Sequence, residues 1–142
     1  MGYYASIFES NVFVPKENLE KAYQAACELN NHDKLKTGGS IDGNGNREYW
    51  FAWMPKNYPE QYSDLQEILD ALGFSTHEDS EGNLQINGFS DKVGDEDKFL
   101  ETIAPYVNNN SHIIWIGEDN TMWAFQFIDG KMIESNVSVT ID

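Results

Sequence analysis

The chain has 142 residues, 40% of them hydrophobic, including four Trp, seven Tyr and eight Phe. That is single-domain size with apolar material for a core, and it excludes a disordered acidic chain, which is poor in aromatics. Twenty-four acids against nine bases give a formal charge of −15; this excludes direct binding to nucleic acid or an anionic membrane, both reached through lysine and arginine, and selects cationic partners.

In chain order, Tyr3 to Phe8 reads as a first strand, followed by Val12-Phe13-Val14 up to Pro15, which cannot donate to a sheet ladder. The first helix is expected from Lys16 or Glu17 to Asn30, with Leu19, Ala22, Tyr23, Ala26, Cys27 and Leu29 as its apolar stripe. Cys27, the single cysteine, excludes an internal disulfide and a cysteine-rich metal site and is expected to be a buried small hydrophobe. Lys34 to Asn46, rich in Gly and Asn, reads as turn or loop, and Tyr49 to Met54 as an aromatic strand ended by Pro55. Tyr58-Pro59 is placed in the next loop.

Ser63 with Gln66 has capping-box spacing, so Ser63 is expected to cap a second helix carrying Leu65, Ile68, Leu69 and Leu72, with Gly73 just past its end. Phe74–Glu78 and Asn83–Phe89 are expected to pair across Asp79-Ser80-Glu81-Gly82. A third helix starts near Asp95, carries Phe99, Leu100, Ile103, Ala104 and Val107, and is interrupted at Pro105. Three strands follow, at His112–Ile116, Thr121–Ile128 and Lys131–Ile141. In the middle one Trp123, Phe125 and Phe127 share a face, and Met122, Ala124 and Ile128 share the other. With both faces apolar, it is expected to be central and covered on each side. The pattern predicts one α+β domain over 1–142. Its sheet is mainly antiparallel, of about five to seven strands, and its three helices pack mostly on one face.

Catalytic motifs are absent from the sequence pattern. His32, His77 and His112 stand apart from one another, without metal-ligand spacing. Asp42-Gly43-Asn44-Gly45-Asn46 begins like a calcium loop, but Arg47 stands where glycine is needed and Trp53 where a bidentate glutamate is needed. The serines have no nucleophile-elbow context, and Gly38-Gly39 is not followed by the Lys-Ser/Thr of a phosphate cradle. The expectation is a non-enzyme without cofactor or metal. With neither a basic-then-apolar leader nor an apolar run of about 18 residues, a cytoplasmic setting is expected, the host cytoplasm if the chain is viral.

The charge is segregated. Between Asn57 and Asp91 the chain has Glu60, Asp64, Glu67, Asp70, Glu78, Asp79, Glu81 and Asp91 but no lysine or arginine, and Asp95, Glu96 and Asp97 follow at the third helix. These residues are the expected partner-binding face. Held on a rigid domain, such an array presents negative charge as a nucleic-acid backbone does and suits the basic groove of a nuclease or other nucleic-acid-binding protein.

Trp50-Phe51-Ala52-Trp53-Met54, Ala71-Leu72-Gly73-Phe74, Asn83-Leu84-Gln85-Ile86, Ala104-Pro105-Tyr106-Val107 and Trp115-Ile116-Gly117-Glu118-Asp119 together give the chain a composition and order that resembles the small acidic proteins of unassigned function in bacteria and their phages. The resemblance implies a prokaryotic or viral setting and assigns no residue a role. The expected function is antagonism of a basic host or defence protein, by nucleic-acid mimicry of the anti-restriction or anti-CRISPR type. Three alternatives stay open: immunity against a toxin, a structural or adaptor role, and a small hydrolase with a carboxylate site.

Overall fold

The computed structural model describes residues 2–137. Its sheet runs in the order β5(Phe74–Glu78), β6(Leu84–Lys92), β1(Tyr4–Ser10), β7(Ser111–Gly117), β8(Met122–Ile128), β9(Lys131–Asn136). The short β2(Phe13–Val14) pairs with the start of β6. Every pairing is antiparallel. This is the α+β architecture that the sequence pattern predicts. The last part of the third expected strand of the C-terminal meander, beyond residue 137, lies outside the described residues.

Alternation along β7 and β8 decides which face is covered. Ile113 and Trp115 pair with Phe125 and Trp123 on one face. That face packs under α1(Leu19–Glu28), α3(Leu65–Leu72) and α4(Glu96–Ile103). α3 contributes Leu65, Ile68, Leu69 and Leu72, all buried, and α4 contributes Phe99, Leu100 and Ile103. The opposite face carries Ile114, Ile116, Met122, Ala124 and Ile133, and Ile133 remains 47% exposed. The expectation of cover on both sides of β8 is therefore corrected. Among the described residues β8 lies one strand from the edge, and the helices pack on the face opposite its second apolar row.

Local chemistry moves several boundaries. Lys16–Asn18 and Leu29–Asn31 are 3₁₀ turns flanking α1. Asp64, not Ser63, caps α3: its carboxylate accepts from the Glu67 N–H at 2.8 Å, while Glu67 Oε1 accepts from the Ser63 N–H at 2.9 Å. The pair is a variant of the capping box, the Glu67 carboxylate reaching the residue before the cap rather than the cap itself. Gly73 ends the helix at φ 111°, a left-handed conformation open to glycine. Tyr58–Gln61 form a short helix, α2, and the Tyr58 hydroxyl, fully buried, donates to the Ala26 carbonyl at 2.6 Å.

The largest departure from the sequence reading is the segment expected to be loop. Gly38–Ile41 is a strand, β3, paired with β4(Arg47–Trp50) as a separate hairpin. Gly38 faces Trp50 across the ladder, and a Cβ there would sit 2.2 Å from the indole Nε1, so the ring lies over bare backbone. Strand structure stops at Trp50. Phe51 enters the core against Phe99 at 5.1 Å between ring centroids, and Trp53 takes a left-handed φ of 72° in the following turn. Cys27 is half-buried, not buried as expected. Among the described residues no helix is long and apolar enough to cross a membrane.

Asp95, wholly buried, ties this hairpin to the rest. Its Oδ2 accepts from the Ala52 N–H at 2.8 Å and from the Thr37 hydroxyl at 3.0 Å, and its Oδ1 accepts from Lys98 Nζ at 2.8 Å. Removing one partner of a buried charge cluster leaves the others desolvated and unpaired. Asp95→Ala is expected to lower unfolding stability by about 3 kcal/mol in urea denaturation; a loss below about 1 kcal/mol would show that the clamp is not what holds the hairpin.

Candidate functional site

Packing α1 against α3 brings together residues far apart in sequence. Leu19, Leu65 and Leu84 help to line a groove of about 120 Å³, shared with the carboxylates of Glu20, Asp64 and Glu78. Each acid comes from a different element: Glu20 from the polar side of α1, Asp64 from the cap of α3, Glu78 from the end of β5. Tyr23 closes one side, its hydroxyl hydrogen-bonded to the Tyr62 carbonyl. That phenol is pushed up to about 12 by its bond to Cys27, then by burial and nearby acids, so it stays a neutral donor. Among the described residues no group of three His, Cys, Asp or Glu is placed to hold a metal ion. The three carboxylates line the groove without forming such a group.

The expected partner-binding acids divide into three groups. Glu60, Glu78, Glu81 and Asp97 are exposed on α2, β5, the β5–β6 turn and α4. Asp64, Glu67, Asp70, Asp79 and Asp91 also reach solvent but take part in local hydrogen bonds. Asp64 and Glu67 fix the start of α3, and Asp70 accepts from the Thr76 hydroxyl at 2.8 Å. Asp79 gathers the N–H groups of Glu81 and Asn83 and the Gln85 amide, which hold its carboxyl below the usual range with the Gln85 bond foremost. Asp91 accepts from the Lys92 N–H. Asp95 and Glu96 form the third group. They are 0% and 3% exposed, so they do not belong to an exposed array at the third helix.

Glu20 was outside the expected face. Nothing near it in sequence marks it, since Lys21 is its neighbour; only the α1–α3 packing places it beside Asp64. The histidines have other engagements or none: His77 Nδ1 lies 2.6 Å from Asn87 Oδ1, His112 Nε2 lies 2.7 Å from Glu9 Oε2, and His32 is exposed. Asp42 folds back on the N–H groups of Asn44 and Asn46 at 2.8 and 2.9 Å, so the calcium-like sequence serves as a hairpin turn.

No family model matches the chain, and neither the curated proteins nor the solved structures compared with it give a match.

Burial pushes the Glu96 carboxyl up; the Gly94 and Glu96 N–H groups and the Trp53 indole oppose this, and Asp97 adds to it. Between its unfolded and folded titrations the folded state holds a proton that the unfolded state releases, so stability falls as pH rises through that window. Glu96→Gln removes this ionisation. The variant is expected to match the parent near pH 4 and to gain in Tm relative to it as pH rises above the ordinary glutamate value of about 4.3. A Tm difference that stays constant from acid to neutral pH would contradict it.

Proposed function

We propose that this chain is an acidic protein-binding domain that covers the cationic surface of a basic partner, of the kind a nuclease or other nucleic-acid-binding protein presents, and so antagonises it. The observation that carries this reading is the groove that Glu20, Asp64 and Glu78 line from three elements. Glu60, Glu67 and Asp70 extend negative charge on the adjoining α2 and α3. A groove with an apolar floor and a carboxylate rim accepts the stem and head of a lysine or arginine, the stem against leucine and the head against oxygen.

Exposed charges of one sign raise the association rate with an oppositely charged partner and set its salt dependence. They also exclude anionic competitors, which suits a protein that occupies a nucleic-acid site without binding nucleic acid. A bacterial or phage setting, implied by the resemblance in the sequence, is one in which such antagonists are useful. The acids most deeply used by the fold, Asp95 above all, have no part in this surface.

The choice of variants follows from the hydrogen bonds. Asp64 and Glu67 start α3, so reversing them would confuse binding with helix stability. Glu20, Glu60 and Glu78 are exposed and do not cap a helix. With the immobilised full chain and a lysate of bacterial cells, capture is expected to enrich a basic protein that DNA or RNA competes away. Binding should weaken steeply between about 50 and about 300 mM salt. Glu20→Lys with Glu60→Lys and Glu78→Lys should weaken it roughly tenfold or more at low salt. A partner without a basic surface, or binding indifferent to salt and to these reversals, would overturn the reading.

A further inference from the structure

A second cavity lies at the start of α4. Val93, Glu96 and Asp97 face Trp115, Trp123 and Phe125 around a space of about 30 Å³. Room of that order holds one or two groups the size of a water molecule. Its only charged lining residues are the two acids. Glu96 is 3% exposed: its Oε2 accepts from the Gly94 N–H at 2.6 Å, whereas its Oε1 has no partner in good hydrogen-bond geometry, the Trp53 indole near this carboxyl included. Trp115, which lines the same cavity, also has a buried indole Nε1 without a partner. A buried polar atom left unpaired is costly and rare in folded proteins, and two on residues that line one small cavity point to a missing polar group there.

The walls say what that group is. Trp115 and Trp123 lie parallel, 6° between planes and 6.3 Å between centroids, with Phe125 edge-on to Trp115 at 5.8 Å. Indole faces attract cations through their quadrupole, and a carboxylate beside them adds a charged acceptor. Lysines of the chain itself do not fill the role. Lys98 is engaged by Asp95 and the Leu35 carbonyl, and Lys92 Nζ lies 5.7 Å from the Tyr4 ring. An anion is repelled by Glu96 and Asp97. A neutral hydroxyl could use the polar atoms but would gain nothing from the ring faces.

We propose that this cavity is a binding site for a primary ammonium group, hydrogen-bonded to Glu96 Oε1 and enclosed by Trp115, Trp123, Phe125 and Val93. A quaternary ammonium is too bulky for the space. Two sources present the right group, a lysine tip on its alkyl stem and the first residue of a peptide chain. The site is separate from the acidic groove, and small amines report on it without any partner protein, so its failure and that of the proposed antagonism are distinguishable.

The test is titration of the full chain, followed through the ¹H–¹⁵N indole signals, with n-butylammonium, glycinamide, n-butanol and tetramethylammonium. Saturable shifts of Trp115 and Trp123 are expected with the two primary amines, at the millimolar affinity of small ligands, and not with the alcohol or the quaternary ion. Tighter binding of n-butylammonium assigns a lysine tip; tighter binding of glycinamide assigns a chain N-terminus. Glu96→Gln should weaken either amine roughly tenfold or more, as loss of a charge-assisted hydrogen bond requires. Trp123→Leu, which leaves the carboxylate in place, should weaken it less. Equal shifts with n-butanol, no saturable shift with either amine, or undiminished binding by Glu96→Gln would each overturn the proposal.

Discussion

The buried carboxylate of Asp95 is the constraint on which the arrangement around α4 depends. A charge without exposure must find donors inside the protein, and it finds them in Thr37, Ala52 and Lys98. Those residues lie before β3, after β4 and in the first turn of α4. One side chain thereby fixes both ends of a hairpin that makes few other attachments to the main sheet. It also fixes the path between them: Phe51 must enter the core, and the chain must then reverse through Trp53 in a left-handed conformation. Because Asp95 directly precedes Glu96, the same clamp sets the position of the second buried acid.

Much of the negative charge is therefore not surplus. Asp42, Asp79 and Asp119 each turn back on nearby backbone N–H groups and shape a tight connection. Asp64 and Glu67 serve the first turn of α3, where the helix dipole also favours them. The acids free to meet a partner are a subset, drawn from α1, α2, α3 and β5. Beside the buried Asp95 and Glu96, the acids behind a formal charge of −15 thus form two populations. One is bound into turns and caps, where hydrogen bonds hold Asp42, Glu67, Asp79 and Asp119 below the ordinary carboxylate range. The other is spread on the surface.

Periodicity carried most of the fold. The stripes of α1, α3 and α4, the β5–β6 hairpin and the three strands of the C-terminal meander follow from spacing, and Gly73 and Pro105 stand where helices end. What spacing could not carry was pairing. Gly38 and Gly39 read as loop because their strand is justified by Trp50, twelve residues after Gly38, lying over the first of them. Capping slipped by one residue because Ser63 and Asp64 are both good caps and only the Glu67 side chain chooses between them. The candidate groove was half legible: the base-free run marked Asp64 and Glu78, while Glu20 joined them through helix packing. Burial of Asp95 and Glu96 was illegible, because adjacent acids at a helix start ordinarily face water, and two of the donors to Asp95, Thr37 and Ala52, lie in distant segments.

The bare side of the sheet gives the charge a further purpose. Ile114, Ile116, Met122 and Ile133 form an apolar field on one side of β7, β8 and β9, and among the described residues no strand pairs with the outer edge of β9. Two copies meeting through such fields would bury oily surface and could extend their sheets into one another. Mutual repulsion between strongly anionic molecules opposes such contact. Colloidal stability thus rests on ionised carboxylates, and acid, which neutralises them, also removes the barrier to stacking.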